Sequence, residues 1–341
     1  MALFSSHSMG GVLNINKAMS WTSFDVVAVV RKLVGVRRVG HCGTLDPFAT
    51  GVLPVFIGRA TGLVRYTENY DKRYRVTYAI GRETETEDLT GEVIGGRTPK
   101  DFEIAYLKSH DWAMLRQAVA TMEGQQDQVP PMYSAVKVAG KRLYEYARRG
   151  ETVERPIRRI EVYSANFVSA EVVPGPAPVR MTIDVHCSKG TYIRTLGSDL
   201  GRRLGFGAYA VSLIRTACGP YNISDSIDLS ELEDWIQQQP VGFLFDKVTQ
   251  SEQPMDSPLL SPESAIHDLT VIKLNAYESR RLLQGQVLRL PHGRVPGELG
   301  RRYRAVGTHG FLGVAKCKDI STDGITVAAE RMLANLDDYQ S

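Results

Sequence analysis

Residues 179–187, VRMTIDVHC, alternate apolar and polar side chains without a break. Val179, Met181, Ile183, Val185 and Cys187 fall on one side, and Arg180, Thr182, Asp184 and His186 on the other. A period of two marks a half-buried strand. Such a strand needs hydrogen-bonded neighbours and a layer over its apolar side, so it commits the chain to a sheet with a covered face. Further extended segments are read at GVLNIN (11–16), VLPVFIG (52–58), KRYRVTYAIG (72–81) and YAVSLIRTA (209–217). Helices are predicted in WTSFDVVAVVRKLVG (21–35), MLRQAVATMEG (114–124) and TLGSDLGRRLG (195–205). In the first, Thr22 and Asp25 form a capping box with Asp in place of Glu, and Phe24, Val27, Val30 and Val34 recur at helical spacing. The chain therefore mixes strands and helices.

A length of 341 residues predicts two domains. The composition changes after about residue 228, where QQQP, SEQPMDSP and LLSPES form an acidic connector. Residues 228–268 hold nine acids and one base, which leaves a net charge of +11 on the rest of the chain. That bias leans toward a polyanionic partner. Beyond the connector, a short helix in AYESRRLLQGQ precedes brief apolar segments broken by glycine turns, the pattern of a small β domain at 270–336. No run of eighteen apolar residues predicts a membrane span, and MALFSSHSMGG lacks the features of a signal peptide. Cys42, Cys187, Cys218 and Cys317 are scattered without a CxxC pair, so neither a disulfide framework nor a zinc site is indicated and a reduced, cytoplasmic setting is expected.

The stretch GHCGTLDPFATGVLP (40–54) places one acid, Asp46, directly before Pro47 and between Gly43 and Gly51. By itself it reads as an ordinary turn, since a pre-proline Asp is common in turns. It is no phosphate loop, dinucleotide fingerprint or protease signature. The functional reading is that glycines let the backbone bend and approach a ligand while the carboxylate acts as nucleophile or base. A carboxylate in a closing site needs a cation, and Arg194 in KGTYIRTLG is the candidate, with its fork holding Asp46 bidentately.

The blocks GHCGTLDPFATGVLPVFIGRAT, DKRYRVTYAIG, QVPPMYSAVKVAGKRLYEYARRGETVER and CSKGTYIRTLGSDLG, in that order, resemble the TruB-type pseudouridine synthases, as does GVLNINKAMSWTSFDVV. The resemblance covers about residues 10–220. It implies an α+β pseudouridine synthase fold, with a large mixed, mainly antiparallel sheet flanked by helices over 10–228 and an RNA-gripping insertion at about 100–158. An acidic connector would follow at 229–269, and then a PUA-like RNA-binding module of β-barrel type at 270–336. The implied reaction flips the uridine at position 55 out of the T-arm loop of tRNA, breaks its C1′–N1 bond, turns the base and rejoins it through C5. By the same resemblance Asp46 is the essential carboxylate, Tyr74 packs on the target base with its hydroxyl near the C5 proton, and Arg194 partners Asp46. Tyr192 and Leu213 are further pocket residues, His41 stacks among flipped-out loop bases, and Asp88 is an acid at the cleft edge. The reaction is an isomerisation, so no metal or organic cofactor is implied. The expected partner is the tRNA T-arm stem-loop, with no obligatory protein partner and a monomer sufficing.

Seven bases in 141–159, interleaved with Tyr144 and Tyr146 and close to Tyr133, are read with that resemblance as an RNA grip. Lys72 and Arg73, with Arg75, surround Tyr74 and suit phosphates flanking the target. Arg289, Arg294, Arg301, Arg302 and Arg304 give the C-terminal segment a basic side. Two positions depart from the family pattern: Ala18 stands where the family usually has Pro after Lys, and Gly62 where Lys usually follows GRAT, with Arg65 as a possible substitute. The competing functions are a guide-RNA-dependent synthase, against which the long 128–148 segment argues, and a tRNA-folding chaperone without catalysis.

Overall fold

The structure is a computed structural model that describes residues 8–239 and 257–337. Its first half runs β1 (Gly11–Lys17), α1 (Ser23–Val34), β2 (Val39–His41), β3 (Thr50–Ile57), β4 (Lys72–Ile80), β5 (Glu83–Thr84), β6 (Val93–Gly95), α2 (Asp101–Ser109), α3 (Ala113–Ala120), β7 (Gly124–Gln128), β8 (Lys137–Val138), β9 (Lys141–Arg142) and α4 (Leu143–Ala147). The second half runs β10 (Arg158–Val172), β11 (Val179–Cys187), α5 (Ile193–Arg203), β12 (Ala208–Cys218), β13 (Tyr221–Asn222), α6 (Leu229–Gln237), β14 (Leu259–Leu260), β15 (Val271–Lys273), α7 (Ala276–Leu283), β16 (Leu288–Leu290), β17 (Arg302–Gly307), β18 (Gly310–Ser321) and β19 (Gly324–Met332). The alternating strand β11 lies inside a ten-stranded sheet of order β14-β1-β3-β12-β4-β11-β10-β7, with β2 and β13 pairing off its path.

Among the described residues this sheet is antiparallel except between β3 and β12, where Thr50 and Gly51 pair with Ile214 and Arg215. The register sets the faces. Tyr74 lies between Val185 and Arg215, and Tyr78 between Met181 and Ala210. Tyr74, Val76, Tyr78 and Ile80 therefore share one buried face with the apolar side of β11. Helix α5 closes onto that face through glycines. A Cβ at Gly197 would lie 2.0 Å from the Tyr78 ring, and one at Gly201 2.2 Å from the Ala208 nitrogen. The Tyr78 hydroxyl donates to the Ile193 carbonyl at 2.7 Å, which pins the first residue of α5 to the sheet.

Helix α1 starts in the expected capping box: Thr22 Oγ1 accepts from Asp25 N–H, and the Asp25 carboxylate accepts from Thr22 N–H. Its apolar stripe is Val26, Val27, Val30 and Val34. Phe24 is not part of it. It falls at the margin of the stripe, in the first turn, and is 66% exposed. Helix α3 stops at Ala120, and Gly124 opens β7 instead of ending the helix.

The C-terminal sheet, β15-β17-β18-β19-β16, has its own core around Ile272, Leu282, Tyr303, Leu312 and Val327. A shared cluster of Phe56, Leu63, Tyr221, Phe311 and Leu333 joins it to the main body. The acidic stretch is folded at both ends. Helix α6 buries Leu232 in the main core, and β14 pairs with β1. Residues 240–256 of that stretch lie outside the described residues.

Candidate active site

The segment between β2 and β3 is a bent loop held from below. Leu45 and Phe48 are buried on either side of Asp46 and act as its anchors. Ser23 Oγ accepts from Leu45 N–H at 2.9 Å, and Ser20 N–H donates to the Pro47 carbonyl at 2.8 Å. Lys17 is fully buried beneath the loop, its ammonium donating to the carbonyls of Ala18, Trp21 and Pro47 at 3.0, 2.7 and 3.3 Å. Burial brings its pKa down to about 8, against the pull of Asp46. These donations tie down the turn at Ala18.

The glycines around Asp46 differ in what they do: Gly43 lines the same open cleft as Asp46, whereas Gly51 packs against the protein itself. Gly43 and Gly51 have φ of +69° and +97°, and a Cβ at Gly51 would lie 2.3 Å from the Arg215 carbonyl. Gly51 therefore admits strand β12 and not a ligand, which corrects the sequence reading. Gly40 meets nothing within 4 Å.

Arg194, in the first turn of α5, brings its Nε to 2.9 Å from Asp46 Oδ2. Its guanidinium is not a fork closed on Asp46. Nη1 donates to the Thr86 carbonyl at 2.6 Å and lies 3.4 Å from Asp88 Oδ2, and Nη2 donates to the Tyr133 carbonyl at 2.9 Å. The arginine side chain is 4% exposed, whereas that of Asp46 is 38% exposed. One carboxylate thus faces open space from a buried cation. Asp88 stands behind that cation and away from the cleft edge, with Oδ1 accepting from Thr86 Oγ1, Thr90 N–H and Thr90 Oγ1. It is an internal anchor for Arg194, neither a solvated turn residue nor a lining one.

Asp46, Lys72, Tyr74, Tyr192, Arg194 and Leu213 line one cleft of about 770 Å³. Burial raises the pKa of Tyr74 further above its ordinary range, which keeps the phenol protonated. Tyr192 precedes α5 and is clasped by Gln128, whose amide accepts from Tyr192 N–H at 2.8 Å and donates to its carbonyl at 3.0 Å. His41 sits beside the cleft and not among its lining residues; burial lowers its pKa, and its ring meets Phe24 edge-on. Arg73 is placed on the opposite face of the sheet from Tyr74, because the strand alternates. Arg75 shares that far face and forms a two-bond pair with Asp184. Neither is positioned to flank a base on Tyr74.

The residue that sequence reasoning missed is Arg215. It lines the cleft at 1% exposure, donates to the carbonyls of Val52 and Gly43 at 2.7 and 2.9 Å, and contacts the Tyr74 hydroxyl. The signal was an arginine at an inward position of β12, in line with Leu213. Arg158 and Arg159 of the basic segment also line the cleft. Arg142 and Arg148 lie over the Tyr144 ring and Arg149 over Tyr146. The basic side of the C-terminal sheet is largely spent internally: Arg294 pairs with Glu278, Arg301 with Glu298, Arg302 with Glu330 and Arg304 with Glu263. Gly62 makes room for the Arg331 side chain, and Arg65 pairs with Glu330 away from the cleft, so Arg65 is no substitute there. No helix among the described residues is long and apolar enough to cross a membrane.

Residues 31–193 match the model for the N-terminal domain of TruB family pseudouridylate synthases, and residues 194–260 that for the C-terminal domain of tRNA pseudouridylate synthase B. The chain is 38% identical over 328 residues to the tRNA pseudouridine synthase B of Halalkalibacterium halodurans, covering 96% of this chain and 98% of that protein. It is 42% identical over 275 residues to that of Symbiobacterium thermophilum, covering 81% and 82%. Among solved structures, a Cbf5-Nop10-Gar1 complex matches with a TM-score of 0.69 at 24% identity, covering 98% of this chain and 88% of the matched one. An H/ACA RNP bound to a substrate RNA containing 2′-deoxyuridine matches with a TM-score of 0.66 at 22% identity, covering 97% and 87%. At these identities the structural likeness speaks for the fold.

Proposed function

The chain belongs to the TruB family of pseudouridylate synthases and is a tRNA pseudouridine synthase, and on that premise we propose that its target is the uridine at position 55 of the T-arm loop, with Asp46 as the essential carboxylate. The observation that carries this reading is the half-exposed Asp46 held at 2.9 Å by a buried Arg194 in the same cleft as Tyr74 and Leu213. The target nucleotide leaves its loop at a cost of a few kcal/mol, lower than from a duplex, and enters the cleft. Its flat ring packs on Tyr74 and Leu213. Asp46 acts on the ribose or the base, the C1′–N1 bond breaks, the ring turns and C5 bonds to C1′. The C5 proton is lost and N1 gains one, so atoms and charge balance. Arg194 keeps the carboxylate aimed at the nucleotide, and a protonated Tyr74 presents its hydroxyl to the C5 edge. Arg158, Arg159 and Lys72 supply positive charge at the mouth for phosphates.

The test uses purified protein and unmodified T-arm stem-loop RNA, without cofactor, guide RNA or partner protein. Wild type converts position 55 and Asp46→Asn does not. Conversion at another uridine overturns the site, and conversion by Asp46→Asn overturns the role of the carboxylate. Binding without conversion by wild type moves the assignment to a guided enzyme or a chaperone.

A further inference from the structure

On the α1 side of the cleft, three large apolar side chains stand in solvent and have no part in the mechanism above. Met19, Trp21 and Phe24 are 54%, 37% and 66% exposed. They are fixed to the loop that carries Asp46. Ser20 bonds Pro47, Ser23 bonds Leu45, and the buried Lys17 ammonium holds the carbonyls of both Trp21 and Pro47. The Phe24 ring meets His41 edge to face, with centroids 5.5 Å apart and planes at 84°. His41 Nδ1 is buried and has no hydrogen-bond partner among the described residues. An orphan ring nitrogen beside an exposed aromatic face is an unfinished surface.

The charge around it selects the occupant. Between Met19 and His41 the only acid is Asp25, which caps α1, whereas Arg31, Lys32, Arg37 and Arg38 are exposed bases. Past Phe24 the outer face of α1 continues through Ala28 to Arg31, two turns on, so the apolar patch is small and gives way to positive charge. A protein or lipid surface calls for a wider apolar face. An exposed aromatic ring against His41, whose neighbour Cys42 lines the cleft, and followed by bases, suits single-stranded RNA, whose bases stack on aromatics while its phosphates follow positive charge.

We propose that Phe24, flanked by Trp21 and Met19, is a stacking platform for an unpaired base of the substrate RNA next to the target uridine, with Arg31, Arg37 and Arg38 contacting the backbone beyond it. The inference rests on the reading of the cleft as the site for an RNA uridine. It assigns the α1 rim as a second contact that holds the loop open while the target is flipped. Phe24 is a binding residue here, and the chemical step at Asp46 proceeds without it.

The experiment compares wild type with Phe24→Ala, Phe24→Leu and Phe24→Tyr on an unmodified T-arm hairpin carrying 2-aminopurine at loop positions beside the target. Alanine and leucine raise Kd and KM by about five- to 150-fold, the range for one base–aromatic stack. Turnover at saturating RNA stays within about threefold, the quenching of 2-aminopurine on binding is lost, and tyrosine restores affinity and quenching. Leucine keeps the apolar volume, so its deficit isolates stacking, and as an exposed substitution it leaves the melting temperature unchanged. A Phe24→Leu protein with wild-type Kd and quenching overturns the platform, as does a fall in turnover with Kd unmoved. A wild type that converts the hairpin but ignores Phe24 overturns the platform alone. A wild type whose binding depends on Phe24 but which converts no uridine overturns the functional reading alone.

Discussion

Arg194 serves two carboxylates in different surroundings, and Arg194→Met separates what they do. The guanidinium is 4% exposed, and of its two acids Asp88 is 6% exposed and Asp46 38%. Methionine preserves much of the volume but leaves Asp88 without its cation and the carbonyls of Thr86 and Tyr133 without a donor. Removing one partner of a buried charged pair costs about 3–5 kcal/mol. Asp46→Asn breaks only the half-open contact, worth about 0–1 kcal/mol in partial solvent. At roughly 2–4 °C per kcal/mol for a body of this size, Arg194→Met lowers the melting midpoint by about 6–20 °C and Asp46→Asn by no more than about 4 °C. Both abolish pseudouridine formation on the T-arm hairpin. Arg194→Lys restores charge but not the fork that spans Asp46, Asp88 and two carbonyls, so it recovers part of the stability and little of the rate. The assay is a thermal melt beside a single-turnover conversion on the same preparations. Equal shifts for the two inactive variants, or an Arg194→Met protein that melts within about 2 °C of wild type, refute the claim that one buried cation divides into a structural and a functional half.

Lys17 carries a pH signature. Burial lowers its pKa from 10.5 to about 8, so the unfolded chain binds more protons than the folded one between those values. The charged form therefore costs stability, and the cost fades as pH rises through the folded pKa. Denaturant melts from pH 7 to 10 should show wild type gaining on Lys17→Met by up to about 1.4 kcal/mol per pH unit above pH 8, and a flat or falling difference contradicts this. Gly51→Ala puts a Cβ 2.3 Å from the Arg215 carbonyl at a φ of +97° and should cost more than about 2 kcal/mol in chemical denaturation. Gly40→Ala, with open space around it, should stay within about 1 kcal/mol. Gly197→Ala gains up to about 1 kcal/mol of helix propensity but forces a methyl to 2.0 Å from the Tyr78 ring, so the net effect is a loss of about 1–3 kcal/mol together with slower turnover as Arg194 shifts. A stabilised Gly197→Ala protein with full activity would show that α5 has slack against the sheet.

What could be read from the chain follows the range of the interactions. The capping box at Thr22 and the alternation of β11 are local, and the fold delivers them as read; the helix read at 195–205 is also there but runs Ile193–Arg203, so that Arg194 falls in its first turn. Period two also held the answer for Arg73: a residue next to Tyr74 in one strand faces the other way, so clustering in sequence separated the two in space. Charge was the least legible property. Four arginines of the C-terminal sheet are neutralised by acids, one only three residues away but others 16, 28 and 41 positions distant, and no count of lysines and arginines shows that.

The same limit hid Arg215 and the depth of Lys17 and Asp88, because burial of a charge is settled by what the fold places around it. Lys17, Arg194 and Arg215 are all essentially sequestered, and all lie against the one loop that leaves Asp46 half open. Burying three cations without compensation would unfold a domain of ordinary stability. Here each is matched by backbone carbonyls, Ala18, Trp21 and Pro47 for Lys17, Thr86 and Tyr133 for Arg194, Gly43 and Val52 for Arg215, and only Arg194 is paired with carboxylates as well. Carbonyl dipoles satisfy the donors without cancelling the charge, so Lys17 and Arg215 keep theirs beside the loop that carries Asp46. A site for a polyanion gains from that choice, since carboxylate partners throughout would have neutralised the positive field that draws a phosphate backbone toward the cleft.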